Sequence, residues 1–585
     1  MNSKLFVGVV GAACAASVAL AGCTFAPSSG SSGGGSSTTT TQPGSGGSAT
    51  DSATPAEPQV SSWGPTVDTI SAAQAEVAEM TVQEKAGQVL VAFFSGKDYS
   101  SQASLVKKLH LGGVIMMGDN IPVSSGGSNS NSGDSGGATG GAAGVDTAAL
   151  KAATKKLSSA LASERSWPGI VGVDQEGGQV ARVQAPLTEW PTGMTYGAAN
   201  DPALTEKASQ ALNQDLADLG FTMNFAPDAD VTIGPADPVI GARSMGADPS
   251  LVATNAEAAW KGAVAAGVMP SLKHFPGHGS VTTDSHVGLP VQSASVSALE
   301  ARDWVPFKES ISAGVPMIMM GHIAVTSLDP GVASSVSSAS YEALRDLGFE
   351  GVVVTDALNM GALTESYSTG QETVAALKAG ADLLIMPPDV SAAHAAIVAA
   401  VKNGSLKESR LDEAAARVVT LQMMQQHKLE AASSGDDADS SSTDAESSDL
   451  DPATESQAIS AAAITTFGSK CSGPLVSGGI RISGGNATDR ARLASAAEEA
   501  GLSVGNGTSV ALLGTGSAYA TADVVVALDA PYGLANSQAT TKVALYGRTE
   551  GAFDALIDVL TGDAEATGML PVEVGDLPIG TSCGS

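Results

Sequence analysis

Eight short apolar runs recur between residues 89 and 386, each bounded by glycine, proline or polar residues. They are Val89–Phe94, Gly113–Met117, Ile170–Val173, Thr222–Ala226, Val268–Leu272, Met317–Met320, Val352–Thr355 and Leu383–Met386. Continuous runs of this length, with no apolar–polar alternation, predict strands buried on both faces. Most of the intervals carry a helical pattern, as at Leu204–Leu219 and Asn255–Ala266. The order is therefore strand and helix repeated, with a parallel sheet. A (β/α)8 barrel needs roughly 250 residues or more, which suits residues 65–430. A second folded region, 457–585, shows strand patterns at Ile480–Ile482, Val510–Leu513, Val524–Leu528 and Val543–Tyr546, with helical patterns at Ala487–Ala500 and Gly551–Leu560. The predicted fold class is α/β: a TIM-like barrel followed by a smaller α/β sandwich domain.

The segments outside these regions lack the pattern. Residues 124–145 are mostly Ser, Gly and Asn, and are expected to form a disordered insertion in one barrel loop. Residues 23–64 are rich in Ser, Gly, Thr and Pro, and 431–456 form an acidic, serine-rich stretch. Neither carries enough large apolar side chains to offset chain entropy, so they read as a flexible tether and a solvated linker. Residues 1–22 begin with Lys4 followed by an apolar run of small residues. That run is short for a membrane span and has the flanks of a signal peptide.

Composition narrows the partners. The formal charge of −31 argues against nucleic acid and against a polybasic membrane contact. The tetrapeptide Leu20-Ala21-Gly22-Cys23 resembles a bacterial lipobox, which implies cleavage before Cys23 and a lipid on its sulfur. The expected location is the outer face of the bacterial cytoplasmic membrane or the cell envelope, with the membrane touched only through that anchor. Cys14 would leave with the signal, so Cys471 and Cys583 remain as candidates for a disulfide in an exported protein.

Polar residues gather at the ends of the apolar runs: Asp119-Asn120, Asp174-Gln175-Glu176, Asp228, Asp230, Lys273-His274, His322 and Asp356. A barrel collects its catalytic groups on the face where its strands end, and charges at so many strand ends point to an enzyme gripping a highly polar ligand. Chemistry is densest in Lys273-His274-Phe275-Pro276-Gly277-His278-Gly279-Ser280-Val281-Thr282-Thr283-Asp284-Ser285-His286. Asp284 and His286 are close enough in sequence for the carboxylate to orient the imidazole. A metal site is the competing reading. However, His274 and His278 would meet as ligands only on a helix, and Phe275-Pro276-Gly277 breaks one. No metal and no cofactor are expected.

The stretch Lys273–Pro290 resembles the K-H-F-P-G-H-G-x4-D-S-H-x3-P signature of family 3 glycoside hydrolases, in their β-N-acetylglucosaminidase branch. Further matches follow in order: Met80–Gln88, Val173–Arg182, Val239–Ser244, Gly351–Met360, Ala379–Asp382 and Met386-Pro387. The resemblance implies Asp356 as nucleophile, although an aspartate at a strand end also serves as a helix N-cap. It implies His286 as general acid/base oriented by Asp284, in place of the carboxylic acid that retaining glycosidases generally use. Asp174, Arg182, Arg243, Lys273 and His274 would line the subsite for a terminal GlcNAc, with Glu176 and Asp230 bracing them. His278 and His322 are read as structural.

The expected activity is exo-acting, retaining hydrolysis of terminal β-linked GlcNAc from oligosaccharides or cell-wall fragments. The alternatives are a β-GlcNAc phosphorylase, since a neutral histidine would not repel incoming phosphate, a β-glucosidase, and a non-catalytic sugar-binding lipoprotein. A Gly- and Ser-containing loop carrying the dyad is also expected to close over bound substrate. No sequence feature sets the oligomeric state.

Overall fold

A computed structural model of the chain describes residues 59–124, 144–434, 450–514 and 516–584. Eight barrel strands follow the eight apolar runs: β1 (Leu90–Ala92), β2 (Gly113–Ile115), β3 (Ile170–Val173), β4 (Met223–Asn224), β5 (Met269–Pro270 continuing as Leu272–Phe275), β6 (Met317–Met320), β7 (Val352–Thr355) and β8 (Leu384–Ile385). Each pairs in parallel with its neighbours, β8 lies beside β1, and a parallel bridge between Val354 and Leu383 joins β7 to β8. The fifth strand changes partner midway. Its first half pairs with β4 and its second half with β6, on either side of Ser271.

Successive side chains of a strand point to opposite faces, and both faces here are apolar. In β7, Val353 packs outward among the surrounding helices, while Val352 and Val354 fill the interior with Ile115, Phe225, Met269 and Met317. That is why the runs show no alternation. Trp63 and Val418, Leu421 and Met424 of the helix Glu408–Ser434 join the interior cluster. They close the end of the barrel where the strands begin: Arg417 of that helix donates to the Glu350 carbonyl just before β7, at 3.2 Å.

Buried Asp382 fixes the same end. Its carboxylate takes Arg345 at 2.8 Å, Arg410 at 2.7 Å and Arg417 at 3.2 Å, and accepts the Val353 N–H at 3.0 Å. Breaking such a buried charge set by removing one partner costs about 3–5 kcal/mol, so the root of β7 is held firmly.

The second domain is a six-stranded sheet of β9 (Thr465–Gly468), β10 (Gly479–Gly484), β11 (Ser503–Val504), β12 (Thr508–Leu513), β13 (Val524–Ala527) and β14 (Thr541–Ala544). The spatial order is β9-β14-β13-β12-β10-β11, parallel except for the antiparallel edge strand β9. Val510, Leu512, Val524 and Val526 face the helices Ala487–Glu499 and Glu550–Thr561. The alternate residues Ala511, Leu513, Val525 and Ala527 share a core with Met194, Ala198 and Ala242 of the barrel. The Thr192 and Thr195 hydroxyls bond the Tyr546 carbonyl at 2.7 and 3.0 Å, fastening the two domains.

The expected architecture stands, with altered edges. Val60 pairs with Thr66 and Trp63 is buried, so ordered chain begins inside the expected tether 23–64. The expected linker 431–456 is entered by one helix ending at Ser434 and left by another, Pro452–Ala463. That second helix packs against barrel helices and against Glu550–Thr561. Its Ser456 donates to the Glu189 carbonyl at 2.7 Å, a contact that the acidic composition nearby conceals. The insertion expected at 124–145 is framed by an antiparallel bridge between Val123 and Val145; residues 125–143 lie outside the described residues, as do the signal segment and Cys23. Cys471 and Cys583 form a disulfide, with Cα atoms 5.6 Å apart.

Candidate active site

Lys273 and His274 sit within β5, and Asp174 directly follows β3, so their side chains reach the barrel mouth from two strands separated only by β4. Lys273 Nζ lies 2.6 Å from Glu176 and 3.3 Å from Asp174. Arg243 faces Glu176 with two parallel bonds of 2.9 Å and reaches Asp228 at 3.3 Å. Arg182 stands 4.0 Å from Asp174. Burial opposes the charge on Glu176, yet Arg243 and Lys273 outweigh it and hold its pKa far below the usual carboxylate value. Burial likewise opposes Lys273, and Glu176 and Asp174 more than restore its charge.

A second layer supports His274. Asp230 Oδ2 lies 2.6 Å from His274 Nδ1, and its Oδ1 accepts the His278 backbone N–H at 2.5 Å. Burial pushes the His274 pKa down to about 4, so the ring is neutral near pH 7. Its Nδ1–H then points at Asp230, which leaves Nε2 for a ligand. Burial pushes Asp228 and Asp230 the other way, upward, and Asp230 adds to the effect on Asp228.

Asp356 ends β7. Its Oδ1 accepts the Ala357 N–H at 2.7 Å, and its own N–H donates to the Met320 carbonyl at 2.9 Å. Burial would raise its pKa, but His322, His274, the Ala357 amide and His286 together bring it down to about 2. The carboxylate is therefore ionised, as a nucleophile must be. His322 is fully buried between the Ser335 hydroxyl, 2.7 Å from Nδ1, and the Ala357 carbonyl, 2.9 Å from Nε2. A carbonyl only accepts, so Nε2 carries the proton and steadies the turn that aims Asp356.

Asp284 and His286 sit on the loop after β5. Asp284 Oδ1 accepts both the His286 backbone N–H, at 2.9 Å, and the ring Nδ1–H, at 2.7 Å. Partial burial opposes ionisation of Asp284, and these bonds from His286 hold its pKa below the usual value. Nε2 of His286 is thereby turned away from Asp284, and the ring is near enough to Asp356 to stabilise its charge. The loop lies over the segment after Asp356: Ala362 N–H donates to the Ser285 carbonyl at 3.2 Å. Below it, Trp304 Nε1 donates to the Pro276 carbonyl at 3.0 Å.

The residues singled out from sequence as clamp and catalytic groups thus converge on one mouth. The structure adds contacts that the sequence did not give: Asp228 balances Arg243, and His278 and His322, read from sequence as structural, tie together the segments that carry the site. Asp228, Asp230 and His274 also bring one ligand atom each to within 4.8 Å of one another, a metal-like spacing that does not involve the His274–His278 pair weighed from sequence. Arg243 already balances Asp228 there, and Asp230 already holds His274 Nδ1.

Comparison with known proteins places the barrel in a family. The model of the glycosyl hydrolase family 3 N-terminal domain matches residues 81–421. The chain is 34% identical over 291 residues to beta-hexosaminidase A of Pseudoalteromonas piscicida, a match covering 45% of this chain and 49% of that protein. It thus spans about half the length of that relative. It is 34% identical over 280 residues to beta-hexosaminidase LpqI of Mycobacterium tuberculosis, covering 45% of this chain and 71% of that one. A family 3 beta-N-acetylglucosaminidase from Paenibacillus sp. str. FPU-7 superposes with a TM-score of 0.71 at 26% identity, covering 85% of this chain and 99% of that one. With a family match spanning most of the barrel and a closed barrel carrying the signature residues at its mouth, the chain belongs to glycosyl hydrolase family 3.

Proposed function

We propose that the protein is an exo-acting, retaining β-N-acetylhexosaminidase that releases terminal β-linked GlcNAc from oligosaccharides or cell-wall fragments. One observation carries the reading: an oriented Asp284–His286 pair lies over an ionised Asp356 beside a buried polar clamp. His286 Nε2 protonates the glycosidic oxygen as Asp356 attacks the anomeric carbon, forming a glycosyl ester and releasing the aglycone alcohol. His286, now neutral, takes a proton from water as that water displaces Asp356, and the configuration is retained overall. Asp174, Arg182, Lys273 and His274 offer the acceptors and donors that a neutral polyol with an acetamido group needs. The names of the hexosaminidase relatives support this substrate class.

The test is hydrolysis of a chromogenic β-GlcNAc glycoside by the full chain, with Asp356→Ala and His286→Ala beside it. Loss of turnover in both variants is expected; full activity in both overturns the mechanism. In phosphate buffer free GlcNAc should accumulate, whereas GlcNAc-1-phosphate would identify a phosphorylase. We further propose that the enzyme is tethered to the cell envelope through lipidated Cys23, as Leu20-Ala21-Gly22-Cys23 and the polar stretch after it suggest. Cys23→Ala should release the protein from membranes, and retention of that variant would refute the anchor.

A further inference from the structure

His278 and Ser285 play no part in the chemistry above, yet both are almost fully buried beneath a loop that is otherwise partly open. His278 Nε2 and Ser285 Oγ lie 3.0 Å apart. Nδ1 of His278 is buried without a hydrogen-bond partner. The Ser285 contact is therefore the only polar anchor of that ring among the described residues. Burial lowers the His278 pKa, so the ring is neutral. Donation from Nε2–H to the hydroxyl leaves Nδ1 as an unmet acceptor, whereas the opposite tautomer would leave an unmet N–H, the rarer outcome in proteins.

At its other end, His278 is bound to the clamp. Its backbone N–H donates to Asp230 Oδ1, while Asp230 Oδ2 faces His274. A chain of direct contacts thus runs from His274 through Asp230 and His278 to Ser285. Ser285 stands between the two members of the catalytic dyad and is fixed from above as well, its carbonyl accepting the Ala362 N–H at 3.2 Å. The next residue is equally confined. A Cβ on Gly361 would come within 2.6 Å of the His286 carbonyl oxygen, so the close approach needs glycine there.

We propose that His278 and Ser285 form a latch that holds the Asp284–His286 dyad closed over Asp356 and ties its position to the sugar clamp. Both are positioning residues: neither reaches the substrate, and each acts through the placement of His286. This inference rests on the hexosaminidase reading for its kinetic consequences and on the structure alone for its mechanical ones. Closure of the dyad loop then depends on side chains inside the barrel mouth as well as on the loop's own turn, in which the Asp284 carbonyl accepts the Val287 and Gly288 N–H groups at 3.0 and 3.1 Å.

The test uses the full chain and Ser285→Ala, Ser285→Thr and Gly361→Ala variants. General acid catalysis contributes about 10²–10⁴-fold, and it matters most when the leaving group is a poor one. With an alkyl β-GlcNAc glycoside, Ser285→Ala and Gly361→Ala should lower kcat/KM by about tenfold or more, a fraction of that contribution. With a dinitrophenyl glycoside, whose leaving group needs no proton, the same variants should stay within about threefold, because the acid is not called on. Ser285→Thr, which keeps the hydroxyl, should recover most of the loss. Equal losses on both substrates, or none on either, would overturn the latch. Amide hydrogen exchange provides a second readout that needs no turnover. Val287 and Gly288 should exchange faster in Ser285→Ala than in the parent, and unchanged protection would overturn the latch even if the enzyme proved to act on another sugar.

Discussion

The two halves of the active site are built on opposite plans. The clamp is buried and saturated with charge: Asp228, Lys273 and Glu176 side chains are 2%, 4% and 7% exposed, and every cation has at least one carboxylate within reach. The dyad is far more open, with Asp284 and His286 side chains 38% and 34% exposed, on a loop of turns. Asp174, Lys273 and His274 sit within or directly after barrel strands, and Arg243 is held to Glu176 and Asp228 from the short turn Gly241–Arg243, so their geometry is set before any ligand arrives. In the proposed mechanism the dyad gives a proton to the leaving group and then takes one from water, which requires a path to solvent. On that proposal binding falls to rigid, mutually neutralising charges and proton transfer to a group that solvent can reach. Asp356 stands between the two, with His274 on the clamp side and His286 on the dyad side.

This contrast can be broken in order of expected effect. Asp356→Ala should lower kcat on the order of 10⁴-fold or more, the scale seen when one member of a covalent-catalysis set is removed, with little change in melting temperature. Substantial turnover at the variant's steady state would place the nucleophile elsewhere. On the clamp side, Glu176→Gln removes the carboxylate that Lys273 and Arg243 share, leaving each cation only its longer contact to Asp174 or Asp228, and should destabilise the fold by about 3–5 kcal/mol. Denaturant unfolding measures this directly, and a loss below about 1 kcal/mol, the range of surface pairs, would show that the clamp is not preorganised.

On the dyad side the expected signature is reversed. Asp284→Asn should lower kcat/KM for an alkyl glycoside by about 10–10²-fold, because it impairs a general acid worth about 10²–10⁴-fold. Its unfolding free energy should stay within about 0.5 kcal/mol of the parent, as expected for a partly exposed site. A stability loss matching that of Glu176→Gln would erase the contrast between the two halves. The smallest effect concerns His322. Burial lowers its pKa from the usual 6.5, so the unfolded chain takes up that proton first on acidification. Its contribution to stability is complete above 6.5 and drains away as pH falls below it. His322→Gln should therefore flatten the fall of melting temperature below pH 6.5; an unchanged slope would contradict a neutral buried ring.

How far the sequence disclosed this arrangement depended on local pattern. Ile170–Val173, Met317–Met320 and Val352–Thr355 were legible residue for residue, because strands buried on both faces leave unbroken apolar runs. The catalytic loop was legible because its residues are contiguous. The change of partner at Ser271 was not, since it depends on how two neighbouring strands diverge. Nor was the burial of Trp63, whose flanking residues look like tether. The balance between Asp228 and Arg243, and the contact between His278 and Ser285, are tertiary facts with no periodicity to announce them. The sandwich domain's second face shows the same limit. Its alanines read as weak strand positions until Met194, Ala198 and Ala242 of the barrel are found packed against them, beside the Arg243 that completes the clamp.

The most direct test is to trap the glycosyl-enzyme with a slow fluorinated β-GlcNAc donor, digest it, and weigh the peptide bearing residue 356. One added glycosyl unit on Asp356 is expected. A fully inactivated enzyme labelled at another residue, or continued turnover with no adduct on Asp356, would contradict it.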